Sequence, residues 1–215
     1  MGDSISITAQ TLDWNQEMNN FLSLDSVEMH NPSIGTFTSA EKWSLQKEAG
    51  TFLALGSTTF RGVDGLQLTC SGSLEYDPKT ESIRAMANSS PLSIEKDGFL
   101  FTANSGKINY QNFEIETFIL TDSAQMRIND VVASLEEIQF DKRSNSFVFL
   151  SKDGFITLSE GEISLPIHVE KIAMIKDPAS SSLSLKAAGR VHFSIDEAHV
   201  DKLMDKVNQC IKSLY

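Results

Sequence analysis

Apolar residues recur in pairs along this chain, separated by one position and repeated at an interval of about 30 residues. The pairs are Leu12 and Trp14, Trp43 and Leu45, Leu74 and Tyr76, Ile108 and Tyr110, Ile138 and Phe140, and Ile172 and Met174. The second members are spaced by 31, 31, 34, 30 and 34 residues. A spacing of two places both side chains on one face of a β-strand, so the repeat predicts strands. Polar turn-forming stretches follow several pairs. Asp77-Pro78-Lys79-Thr80-Glu81-Ser82 leads to Ile83, and Asp141-Lys142-Arg143-Ser144-Asn145-Ser146 leads to Phe147. Each reads as a hairpin connection between two apolar strands. A third element precedes most units, with alternating residues such as Val27 and Met29, Leu92 and Ile94, Met126 and Ile128, and Val191 and Phe193. Asp64-Gly65, Asp97-Gly98 and Asp153-Gly154 add tight turns, because Asp-Gly supplies the positive φ of a short hairpin. The expectation is an all-β protein of about a dozen or more strands, each near the usual ~5–6 residues.

The period changes after Ile195. Val200, Leu203, Met204, Val207, Cys210, Ile211 and Leu214 recur every three or four residues, the pattern of one apolar helix face. Ser194 and Glu197 form a candidate capping box, and Lys212 suits the last turn. Residues 196–215 are therefore expected to form an amphipathic helix of about five turns. Its polar face is mixed, with Asp201, Lys202, Asp205 and Lys206. That balance favours packing over an open end of the β-domain above lying on a membrane.

Several copies of the repeat also share a local motif: Thr-Ala or small residues, an apolar residue, one residue, an aromatic, then a polar turn. Thr8-Ala9-Gln10-Thr11-Leu12-Asp13-Trp14-Asn15 and Cys70-Ser71-Gly72-Ser73-Leu74-Glu75-Tyr76-Asp77-Pro78 are the best copies. Ser39-Ala40-Glu41-Lys42-Trp43 and Val132-Ala133-Ser134-Leu135-Glu136-Glu137-Ile138-Gln139-Phe140-Asp141 are looser ones. From about Ile5 to Ile195 the chain resembles the OstA-like family of periplasmic lipopolysaccharide-transport proteins. The resemblance implies a twisted antiparallel β-jellyroll over residues 5–195, with two sheets facing each other like an open clamp. It also implies that lipopolysaccharide or lipid A acyl chains lie between the sheets. Similar modules would dock through sheet edges to form a bridge across the periplasm to the outer membrane. On this reading the groove candidates are Phe37, Leu68, Leu74, Tyr76, Phe101, Ile108, Tyr110, Val132, Ile138, Phe140 and Leu165. A β-sandwich needs such residues to pack its own core, so a filled scaffold that assembles by strand edges is the alternative.

Composition narrows the choice. The 215 residues carry a net charge of −11, which speaks against nucleic acid as a partner. An anionic lipid would have to be held by apolar burial, with its phosphates near a few cations. Lys96, Lys107, Arg84 and Arg127 are the candidates, although each taken singly reads first as a solvated surface charge. No 18-residue apolar run predicts a membrane-spanning helix. Met1-Gly2-Asp3-Ser4-Ile5-Ser6 lacks the features of a signal peptide, and the repeat begins at Ile5. With the family resemblance, the expectation is a periplasmic protein whose leader has been removed. Cys70 and Cys210 are too few for a disulfide framework; they read as two thiols or as one pair. No nucleophile elbow, phosphate loop, dinucleotide fingerprint or zinc-ligand spacing occurs, so neither an enzyme nor a cofactor site is expected.

Overall fold

The computed structural model describes residues 5–193, apart from breaks at 18, 97, 112–113, 129–130, 145, 152–154, 161–162, 177–182 and 189–191. The expected helix at 196–215, with Cys210, and the Asp153-Gly154 turn lie outside the described residues. All regular structure in the described residues is β-strand, and every pairing is antiparallel.

The chain alternates between two sheets. It enters sheet A with β1 (Ser6–Ala9) and crosses to sheet B for the hairpin β2 (Asp13–Asn15) and β3 (Asn20–Ser23). It returns to A for β4 (Val27–Asn31) and β5 (Gly35–Ser39), then to B for β6 (Trp43–Gln46) and β7 (Phe52–Leu55). Sheet A then takes β8 (Thr58–Gly62) and β9 (Gln67–Cys70), and B takes β10 (Ser73–Asp77) and β11 (Ser82–Met86). Next come β12 (Leu92–Lys96) and β13 (Phe99–Ala103) in A, and β14 (Ser105–Gln111) in B. Two long strands, β15 (Glu114–Ile128) and β16 (Val131–Asp141), belong to both sheets. The alternation resumes with β17 (Ser146–Leu150) in B, and β18 (Phe155–Glu160) and β19 (Ile163–His168) in A. It ends with β20 (Lys171–Lys176) and β21 (Leu183–Ala188) in B, and β22 (His192–Phe193) in A.

Each hairpin pairs with the next hairpin of its own sheet, as β5 does with β8 and β7 with β10. Among the described residues the sheet-to-sheet crossings therefore fall along one side of the molecule, and the hairpin tips fall along the other. The crossing side is a spine. Its connections are short, down to the single residue Asn104 between β13 and β14. They also bond to one another: Ala40 N donates to Ser57 O (3.1 Å), Gly56 N to Gly72 O (2.7 Å), and Ala87 N to Asn104 O (2.7 Å).

The strands expected to be short include two that are not. β15 has 15 residues and β16 has 11, because each runs from one sheet into the other without a break. The bend is a bulge between Thr121 and Ala124, where Asp122 and Ser123 both take φ 62. The polar hairpins of sheet B follow the expected chemistry. Asp77 accepts from Lys79 N (2.9 Å) and Thr80 Oγ1 (3.0 Å), which holds its carboxyl below the usual carboxylate range. The fifth residue of three such turns is left-handed: Asn19 (φ 49), Gly50 (φ 70) and Glu81 (φ 48). The Asp-Gly turns behave as expected at Gly65 (φ 85) and Gly98 (φ 82).

Candidate functional site

The strand registers line up one inward row on each sheet. On sheet A it runs Ile7, Met29, Phe37, Phe60, Leu68, Ile94, Phe101, Met126 and Ala133. Leu158 and Leu165 continue it in Cα register. On sheet B it runs Phe21, Leu45, Phe52, Tyr76, Ile83, Ile108, Phe118, Phe140 and Phe147. Trp14 precedes that row and Met174 follows it in register. A second row of sheet B, nearer the spine, carries Trp43, Leu74, Leu120, Ile138 and Phe149.

The rows of the two sheets face each other and touch. Phe37 of sheet A lies 5.5 Å from Phe52 and 5.4 Å from Tyr76 of sheet B, measured between ring centroids. Phe60 meets Tyr110 edge-on at 5.9 Å, and Phe101 meets Phe118 at 5.3 Å and Phe147 at 5.6 Å. Such pairs are worth about 0.5–1.5 kcal/mol beyond their area burial.

Of the eleven groove candidates, Phe37, Leu68, Leu74, Tyr76, Phe101, Ile108, Tyr110 and Ile138 are buried between the sheets. Phe140 shares their interior and is half-buried. Leu165 is placed by register alone. Val132 falls elsewhere. Its Cα partners are Arg127 and Ser159, so strand alternation puts it on the face opposite its buried neighbour Ala133. Tyr110 is also displaced. Trp14, Leu45, Tyr76 and Phe140 sit in one row, whereas in the fourth unit that row is filled by Ile108. Tyr110 lies two residues further towards the hairpin tips, beyond a register shift at Asn109/Tyr110. Phe99 and Phe147 were not among the groove candidates, although each stacks on a period-two neighbour, Phe101 and Phe149.

Of the four candidate cations, Arg84 pairs loosely with Glu75 (3.9 Å) and is directly opposite Lys107 on the outer face of sheet B. Arg127 is exposed on the outer face of sheet A. Lys96 is the inward-facing one and makes an ion pair with Asp64 (3.0 Å). Tyr76 OH accepts from Asn31 Nδ2 (3.2 Å), a bond between the sheets; burial raises the Tyr76 phenol above its ordinary pKa. Cys70 is free and buried, with Sγ donating to Met86 O (3.1 Å), and burial pushes the thiol up. Among the described residues no group of acidic, histidine or cysteine side chains could hold a metal ion. Among them no helix is long and apolar enough to cross a membrane.

Fold and interior together define a two-sheet antiparallel β-protein with a continuous apolar interior. No family model matches the chain, and no curated protein matches it. Among solved structures it is similar to the crystal structure of LptH, the LptA-homologous periplasmic component of the conserved lipopolysaccharide transport device from Pseudomonas aeruginosa. That likeness has a TM-score of 0.47 and 12% sequence identity, and covers 62% of this chain and 96% of that one.

Proposed function

We propose that this chain is a non-enzymatic lipid carrier of the OstA-like type. Its β-jellyroll, residues 5–195, takes the acyl chains of lipopolysaccharide or lipid A between its two sheets. It passes them across the periplasm towards the outer membrane as one module of a protein bridge. The carrying observation is the pair of facing apolar rows, which continue from strand to strand over most of the described residues. Inward residues such as Phe37, Leu68, Tyr76, Phe101, Ile108 and Phe140 supply the apolar lining. Docking of further modules fits the first edge of the molecule. There β1 and β2 each pair with one strand among the described residues, beside the exposed Leu12, Trp14 and Leu24. Residues 196–215 would pack as a helical cap on the β-domain.

One observation favours the alternative of a filled scaffold. The largest interior side chains from Met29 to Ile94 have essentially no exposed surface, so a lipid there must displace a neighbour. Native mass spectrometry of the purified chain with added lipopolysaccharide separates the two readings. A carrier retains one lipopolysaccharide molecule per chain and releases it to competing lipid A. A folded chain that retains none is a scaffold.

A further inference from the structure

The hairpin-tip side of the two sheets carries a polar arrangement that acyl-chain packing does not use. Lys96 ends β12 two residues after Ile94, and so shares its inward face. Its Nζ donates to Asp64 Oδ2 (3.0 Å) and to Asp64 O (2.8 Å) in the β8–β9 turn. The two side chains are 26% and 10% exposed. Tyr110 reaches this corner from sheet B. It is 3% exposed, and its OH has no hydrogen-bond partner. Gly62 marks where the groups converge: a Cβ there would lie 2.5 Å from Asp64 Oδ1 and 3.0 Å from Tyr110 OH. A buried hydroxyl without a partner is costly, so this phenol is a donor lacking an acceptor. Burial first, and Asp64 second, hold the phenol well above its ordinary pKa, so it stays protonated.

A groove of about 290 Å³ opens beside Lys96, between the turns at Gly65 and Gly98, with Gln67, Glu95, Phe99 and Leu100 on its wall, so that Lys96 is its cation and Glu95 its one carboxylate. Phe99 stacks on Phe101 (5.9 Å) and on Phe147 (5.7 Å), which joins the groove to the apolar interior. A cation and an aromatic path inward thus meet at the groove, and the free donor of Tyr110 is set back from it, next to Asp64, and is reached only when Asp64 moves.

We propose that this rim is a head-group site for a phosphate monoester on an acylated amphiphile, in which the phosphate replaces Asp64 on Lys96 and accepts a hydrogen bond from Tyr110. The proposal rests on the lipid-carrier reading and adds where the head group sits. A phosphate suits the site better than a carboxylate. It must displace a carboxylate already bound to Lys96, and it carries about 1.5–2 negative charges and three acceptor oxygens. One oxygen serves Lys96 and another serves Tyr110. Asp64 is then a built-in competitor that holds Lys96 until the ligand arrives.

The test uses the full chain with bisphosphorylated lipid A, a neutral acylated glycolipid and inorganic phosphate, with affinities from calorimetric titration. Asp64→Asn keeps the side chain's shape and removes the competing charge. It is expected to bind lipid A about tenfold tighter than the unaltered chain and the neutral glycolipid equally well. Lys96→Gln is expected to lose about tenfold for lipid A alone, and Tyr110→Phe a few-fold. Tyr110→Phe removes only a partnerless hydroxyl, so its thermal stability holds and its affinity loss reports the site. If lipid A and the neutral glycolipid bind alike in every variant, the head-group site is wrong and the carrier reading stands. If no acylated ligand binds the unaltered chain, the carrier reading fails and takes this proposal with it. Tighter binding of inorganic phosphate by Asp64→Asn, without lipid binding, would make free phosphate the ligand and overturn the lipid source.

Discussion

The interior between the sheets is built in two ways along its length. From β4 to β12 it is filled: Phe37, Phe52, Phe60, Leu68, Leu74 and Ile94 are each 0–1% exposed. From β13 to β17 the interior is mixed: Phe101, Ile108 and Phe118 are 1–3% exposed, whereas Phe99, Phe140 and Phe147 pack ring to ring yet are only half-buried. A side chain with no exposed surface cannot touch a ligand unless a neighbour moves. A half-buried one already has surface to offer. The half-buried rings of the second region therefore have apolar surface to offer, and the first region is where opening costs most.

Truncation gives the largest contrast. Phe37→Ala should lose about 3–5 kcal/mol of unfolding free energy, as expected of a fully enclosed phenylalanine. Phe147→Ala should lose about half that, because part of its ring already meets solvent. Denaturant unfolding measures both, and equal losses would abolish the distinction between the two regions. Gly62→Ala probes the filled region more finely. Its new methyl group would press on Asp64 and the Tyr110 hydroxyl, and should cost about 1–3 kcal/mol. Adding Tyr110→Phe should recover part of that loss; no recovery would locate the clash at Asp64 alone. The smallest effect concerns the turns. Glu81 takes the left-handed conformation that Gly50 adopts in the preceding turn of the same sheet. Glu81→Gly should stabilise by about 1 kcal/mol, read as a rise in melting temperature. An unchanged melting temperature would mean that this turn is not strained and that core packing alone fixes the β10–β11 register.

Much of this interior was legible in the chain itself. Period-two pairs predicted which residues share a face, and Tyr76, Phe140 and their partners lie where that spacing requires. The Asp-Gly and Asp-Pro stretches marked hairpins because their backbone chemistry is local. The fourth pair was misaligned because the positions equivalent to Leu74 and Tyr76 are occupied by Gly106 and Ile108. Gly106 has no side chain to show the alternation, and a Cβ there would lie 2.8 Å from Leu120 Cδ2. Val132 looked inward because it is the more apolar neighbour, yet small Ala133 fills the buried position. The long strands were illegible for a different reason. Their bend is made by Asp122 and Ser123, with no glycine or proline to mark it. The Lys96, Asp64 and Tyr110 corner joins residues from separate hairpins and both sheets, a proximity set by register and not by local sequence.

The spine decides how such a molecule can widen. Crossings as short as one residue, bonded to each other along the edge, resist sliding of one sheet over the other. What remains is rotation, with the spine as axis and each strand as a lever arm. A five-residue strand reaches about 17 Å from that axis, so a turn of about 10° parts the hairpin tips by roughly 3 Å. Small angular changes at the crossings are thus magnified at the rim, where the bond from Asn31 to Tyr76 ties one sheet to the other.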